Sequence, residues 1–278
     1  MIKPAISAAV LALGVAQPAQ AVPVDLELLF LNDVSGSIDV VDFNLQIQGF
    51  ADAFRSADLI DRIQDGAIGS IAVSLGFFAD SVAQVIPFTQ ISNALDGEAF
   101  ASAIEAAGLP SVGLQDGQVN ALTDGPGLFA DNGFEGTRTV IDIVTEGTHS
   151  FDDCSNEVVC TAVQDARDAA LGAGVTAINA LVLDDRSFFG NDPGDIVDAV
   201  EYAQTNLIGG AGSFAVFVED FTGFGPAIED KIIREIVPPV EPPVEPPVEI
   251  PPVPLPAGLP LLLGALGALG LARRRAGR

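Results

Sequence analysis

Asp33, Ser35 and Ser37 occupy positions i, i+2 and i+4 of one short segment, Asp33-Val34-Ser35-Gly36-Ser37. A carboxylate and two hydroxyls at that spacing can turn three oxygens toward one point. Hard divalent cations such as Mg²⁺ prefer oxygen donors and keep open positions for water or a further ligand. The competing role is local. Asp and Ser are favoured helix N-caps, and a helix is predicted to begin near Asp39.

The elements around this segment decide whether the oxygens can converge. The apolar run Leu26 to Leu31 predicts a buried strand, and Asp39 to Ala57 carries apolar residues at helical spacing. Further strands are predicted at Ser70–Phe78, Ala83–Phe88, Thr139–Val144, Thr176–Val182 and Phe214–Val218. Helices are predicted at Gly97–Ala107, Val119–Ala130, Cys160–Leu171, Asp195–Asn206 and Gly225–Ile236. Strands such as Val140-Ile141-Asp142-Ile143-Val144 read as near-continuous apolar runs, the pattern of strands covered on both faces. The alternation predicts an α/β fold: a doubly wound, mostly parallel sheet with helices on both faces. Ala79-Asp80-Ser81 reads as the turn of a hairpin that adds one antiparallel edge strand. In such sheets ligands bind beyond the carboxyl ends of the strands at the topological switch point, and Asp33 is predicted to sit there.

D-x-S-x-S in this setting resembles the metal-ion-dependent adhesion site of von Willebrand factor A domains, a Rossmann-like fold. The resemblance covers about Asp25 to Ile236, so the domain is placed at residues 24–236. It implies two more ligand loops. Thr145-Glu146-Gly147 follows a strand and matches the family's third loop, with Glu146 in place of its aspartate. Counting back from Ala121-Leu122 puts Asp116 on the second-loop threonine position. The implied metal set is Asp33, Ser35, Ser37, Asp116 and Glu146, holding Mg²⁺ foremost, with Mn²⁺ or Ca²⁺ as alternatives. Asn32 is expected to support the first loop by backbone hydrogen bonds. His149, Asp152 and Asp153 are read as loop residues near the same rim. Within that superfamily, Gly49-Phe50-Ala51-Asp52-Ala53-Phe54, Ile208-Gly209-Gly210-Ala211-Gly212-Ser213-Phe214 and the ending Ala227 to Ile236 are similar to a bacterial group labelled DUF1194, which has no assigned activity.

The two ends speak to location. Residues 1–21 read as a secretory signal peptide: Lys3, an apolar core from Ala5 to Ala16, and Ala19-Gln20-Ala21 as the cleavage site. Residues 237–252 repeat Pro-Pro-Val-Glu, a semi-rigid stalk. Residues 253–278 join Val253-Pro254-Leu255-Pro256-Ala257 to an apolar run, Leu259 to Ala272, and an arginine cluster. This tail resembles the VPLPA-type sorting signal of Gram-negative bacteria, which implies handling by an exosortase-like membrane peptidase. A transient or lasting transmembrane anchor at the cell surface or in the outer envelope or matrix is the expectation.

Charge and cysteines bound the chemistry. The chain carries a formal net charge of −26. Five of its basic residues (Lys3, Arg273, Arg274, Arg275 and Arg278) lie in the end segments, so the domain itself is more acidic still. Such a surface repels nucleic acid and concentrates divalent cations. Cys154 and Cys160, in an exported chain, are expected to form a disulfide. No catalysis is expected. The single histidine, His149, lies in no triad or nucleophile elbow, and Ser35 lacks the flanking glycines of G-x-S-x-G. The expected function is a binding module whose cation is completed by a carboxylate of an extracellular protein or an acidic polysaccharide. A metal-dependent hydrolase of surface polymers and a structural domain with a degenerate site are the alternatives.

Overall fold

Every residue of the first long strand is buried, from Leu26 to Asp33, and that strand lies between two parallel neighbours. The computed structural model describes residues 20–147, 154, 158–183 and 200–237. In chain order the strands are β1 (Val22–Val24), β2 (Leu26–Asp33), β3 (Ile71–Phe78), β4 (Val82–Ile91), β5 (Phe134–Gly136), β6 (Thr139–Thr145), β7 (Ala177–Leu183), β8 (Gly209–Gly210) and β9 (Ala215–Val218). The helices are α1 (Val40–Arg55), α2 (Ala57–Gln64), α3 (Ala94–Ala106), α4 (Gln118–Asp124), α5 (Thr161–Gly172) and α6 (Phe224–Ile236).

The main sheet runs β4-β3-β2-β6-β7-β8, with β9 parallel to β7. β3 and β4 form the expected antiparallel hairpin at one edge. A second antiparallel pair, β7 with the two-residue β8, was not predicted, nor was the small parallel sheet of β1 and β5. The chain passes from β2 to β3 on one side and places β6 on the other. The carboxyl end of β2 is therefore the switch point at which α/β sheets open a crevice.

Alternation sends the side chains of β2 into two cores. Leu28 and Phe30 face α1, α3 and α6, while Leu29 and Leu31 face α4 and α5. On α1 the stripe Phe43, Ile47, Phe50 and Phe54 lies against the sheet, and Phe50 meets Phe30 edge-on at 4.9 Å. Gly49 lets α6 close in, because a Cβ there would lie 2.6 Å from Phe224 Cδ1 and 3.0 Å from the Gly225 Cα.

Local boundaries differ from expectation in explicable ways. The predicted helix 39–57 stops at Arg55, because Ser56 turns extended (ψ 130°) and caps α2 through Leu59 N. The segment 119–130 divides into α4 and a 3₁₀ turn at Gly125–Phe129, where Pro126 follows a glycine. Of the predicted helix 195–206, residues 200–202 are helical and continue into a π-helical turn at Ala203–Leu207. Cys154 and Cys160 form the expected disulfide, with Cα atoms 5.1 Å apart.

Among the described residues no helix is long and apolar enough to cross a membrane. The expected leader up to residue 19, the stalk beyond Val237, the tail with its apolar run, and His149, Asp152 and Asp153 lie outside the described residues.

Candidate metal centre

Asp33 ends β2 and Thr145 ends β6, on adjacent parallel strands whose register pairs Asn32 with Val144. Both side chains emerge at the carboxyl edge of the sheet. Asp33 is 1 % exposed, and its Oδ1 accepts from Ser35 N at 2.8 Å. That turn folds the first loop back on its own carboxylate and brings Ser35 Oγ to 3.3 Å from Ser37 Oγ.

Capping does not account for these residues. Asp39 caps α1, accepting from Val41 N at 2.6 Å and Asp42 N at 3.0 Å. Asp33, Ser35 and Ser37 stand upstream of that cap. Asn32 belongs to the strand, where it pairs with Phe77 and Val144, and is fully buried; neither atom of its side-chain amide has a hydrogen-bond partner among the described residues. Strand alternation turns Asn32 to the opposite face from Asp33.

The second loop is held by a residue that the sequence reading treated only as a turn. Asp80, between β3 and β4, accepts from Gln115 N at 2.8 Å and Leu114 N at 3.2 Å. Its carbonyl accepts from Asn120 Nδ2 at 2.9 Å. Leu114 O then receives Gly36 N at 2.8 Å, joining the second loop to the first. Gly117 packs so closely that a Cβ would lie 2.0 Å from Ala79 O. These ties leave Asp116 6 % exposed at the foot of α4.

Thr145 joins the two carboxylates. Its Oγ1 lies 3.0 Å from Asp116 Oδ2 and 3.3 Å from Asp33 Oδ2. Gln118, fully buried, donates from Nε2 to Asp116 Oδ2 at 3.1 Å and to Gly147 O at 2.9 Å. Gln118 Oε1 in turn accepts from the Tyr202 hydroxyl at 3.1 Å. Neither Thr145 nor Gln118 was named from the sequence as a site residue. Thr145 stood inside the motif that drew attention to Glu146, and Gln118 fell one residue before the predicted helix. Glu146 follows Thr145 on the same loop and is half-buried.

Electrostatics single out the carboxylate pair. Burial raises the pKa of Asp33 from its ordinary value, against the pull of the hydrogen bonds from Ser35. Asp116 is held well above the ordinary carboxylate range, first by burial and then by the charge of Asp33. The two carboxyls lie within hydrogen-bonding reach of each other. Two buried carboxylates with hydroxyls gathered around them resist ionising together, and a divalent cation relieves that repulsion. The donor set is all oxygen, which fits Mg²⁺ or Mn²⁺ rather than a thiolate or imidazole site. Among the described residues no three His, Cys, Asp or Glu side chains form a metal-holding group.

Solved structures share this architecture. The mussel byssus proximal thread matrix protein 1, in a second crystal form, is 14% identical over 78% of this chain and 50% of that chain, with a TM-score of 0.51. The same mussel protein with a zinc-occupied MIDAS motif is 15% identical over 77% and 48%, with a TM-score of 0.50. The PilB minor pilin of Streptococcus sanguinis is 14% identical over 80% and 64%, with a TM-score of 0.50. A von Willebrand factor type A structure from Catenulispora acidiphila is 14% identical over 77% and 43%, with a TM-score of 0.47. This chain spans about half the length of the mussel protein chain it resembles. No curated protein sequence matches it. The expected architecture is observed: a mostly parallel sheet between helices, the fold shared with the mussel protein. The family model described as "Protein of unknown function (DUF1194)" matches residues 23–240, and the chain belongs to that family.

Proposed function

We propose that this protein is an exported binding module that holds one divalent cation at the carboxyl edge of its sheet and uses it to engage an acidic partner. The observation that carries the reading is the meeting of Asp33 and Asp116, both buried, around the Thr145 hydroxyl, with Ser35 and Ser37 on the adjoining loop. Asp33, Ser35, Ser37 and Asp116 would hold the ion, and Glu146 would add a further carboxylate from the third loop. Mg²⁺ is the first choice, with Mn²⁺ or Ca²⁺ as alternatives. When bound, the cation supplies positive charge at an otherwise acidic surface and so bridges two anionic partners. The mussel protein with zinc in its MIDAS motif supports the reading, because a fold of this kind accommodates a divalent ion.

The chain's own residues do the positioning. Asp80 fixes the second loop, Gln118 orients Asp116, and Asp39 takes over the helix cap so that the serines are free to turn inward. The role is binding rather than catalysis. The partner is an extracellular protein or an acidic polysaccharide, not nucleic acid, which the net charge of −26 repels. The leader, the stalk and the VPLPA-type tail support placement at the cell surface or in the matrix, with the tail a substrate for an exosortase-like peptidase. The test is recovery of partners from envelope extracts with Mg²⁺ and with EDTA. The reading expects partners that are lost on chelation and lost in Asp33→Ala. Identical recovery under all three conditions contradicts it.

A further inference from the structure

The opposite edge of the sheet holds a second constellation that the metal site does not use. Six basic side chains lie among the described residues. Arg55 pairs with Glu98 and Glu105, Arg62 with Asp58, and Arg167 with Asp168. Lys231, fully buried, pairs with Asp142 and with Glu235. Arg138 and Arg234 make no ion pair among the described residues, although acidic residues outnumber basic ones by 38 to 12 in the chain. Both line the same cleft of about 500 Å³, at the amino-terminal ends of β6 and β7. A cleft of that size holds a small organic ligand.

The two guanidinium groups are fixed before any ligand arrives. Arg138 donates from Nη2 to Glu235 O at 2.6 Å and Ile236 O at 3.1 Å, closing the carboxyl end of α6. Burial lowers its pKa, against the opposing charges of Glu235 and Asp25. The Arg234 guanidinium carbon lies 3.7 Å from the centroid of the Phe214 ring. Stacking holds it as a plane, leaving its edge N–H groups to donate. Phe214, Val140 and Ala177 give the cleft an apolar side, and Asn179 adds a polar one.

We propose that this cleft is a second binding site, for an organic carboxylate with an apolar body, whose head group is held by Arg138 and Arg234 and whose body lies along Phe214, Val140 and Ala177. Arginine matches a carboxylate with two parallel N–H donors. Phosphate is disfavoured, because it has no apolar body to lie along Phe214, Val140 and Ala177.

Three probes separate the features: phenylacetate, the neutral 2-phenylethanol, and inorganic phosphate. Each is titrated into the purified full chain and followed by amide chemical shifts. Phenylacetate is expected to shift residues 177, 214 and 234 saturably, and 2-phenylethanol and phosphate to bind at least tenfold more weakly. Two variants accompany the titration. Arg234→Gln removes a donor, and Ala211→Phe, at an exposed rim position, blocks the mouth. Each is expected to weaken phenylacetate at least tenfold while the thermal midpoint and the Mg²⁺ response stay unchanged. Equal binding of 2-phenylethanol, preferential binding of phosphate, undiminished binding by Ala211→Phe, or no saturable shift with phenylacetate overturns the proposal.

Discussion

Thr145 Oγ1 lies 3.0 Å from Asp116 Oδ2, so a hydroxyl at the end of one strand faces a carboxylate on a loop 29 residues earlier in the chain. This contact converts two separate loops into one site. Thr145→Val keeps the shape and removes the oxygen. A hydrogen bond to a charged group is worth about 1.5–3 kcal/mol, so Mg²⁺ affinity is expected to fall at least tenfold. The circular dichroism spectrum should not change. Calorimetric titration checks both affinity and stoichiometry.

The crowding of Asp33 and Asp116 predicts a trade between stability and binding. Both pKa values are raised in the folded state, chiefly by burial. The unfolded chain therefore ionises first, and without metal the stability present below the ordinary carboxylate range, near pH 4, declines as pH rises through the raised values. Asp116→Asn removes one of these groups. The metal-free variant should be more stable than wild type at neutral pH, by about 1–2 kcal/mol, with a flatter pH dependence, and Mg²⁺ should no longer raise its melting temperature. Thermal melts between pH 4 and 8, with EDTA and with Mg²⁺, report all three effects.

A different buried charge group holds α6 to the sheet. Lys231 Nζ lies 2.6 Å from Glu235 Oε1 and also pairs with Asp142, all three side chains being shielded from solvent. Asn179 Nδ2 supports Glu235 at 3.0 Å. Lys231→Met leaves Glu235 charged and unpaired, and is expected to cost about 3–5 kcal/mol. Burial, then the charge of Glu235, raises the pKa of Asp142 well above the ordinary carboxylate range and so disfavours its charged form, which an amide lacks. Asp142→Asn should therefore cost less than about 1 kcal/mol. Urea denaturation of the two variants separates them.

Gly117 tests the second loop without touching a ligand atom. A Cβ at this position would meet Ala79 O at 2.0 Å, and backbone cannot step aside as a side chain would. Gly117→Ala is expected to displace Asp116 from Thr145. Mg²⁺ affinity should fall at least tenfold, and stability by about 1–3 kcal/mol. Titration and melting measured on the same sample show whether both change together.

Much of this arrangement was legible in the sequence because local pattern and tertiary need coincide. The buried run of β2, the helical stripe of α1 and the D-x-S-x-S loop between them each point to one fold and one edge. Asp116, placed by counting back from Ala121-Leu122, lands in the structure beside Asp33. What escaped depends on contacts distant in sequence. Asp80 holds residues 34 and 35 positions away, and Gln118 reaches Thr145 across 27. A turn aspartate and a glutamine just before a predicted helix carry no local mark of those roles. β8 and the β1–β5 pair are too short for a periodic signal.

The most direct test of the cation site is calorimetric titration of Mg²⁺ into the domain, wild type beside Asp33→Ala. The account predicts one equivalent bound by wild type and none by the variant, with both proteins giving the same circular dichroism spectrum. A wild-type protein that binds no divalent cation, or an Asp33→Ala variant that binds as tightly as wild type, would contradict it.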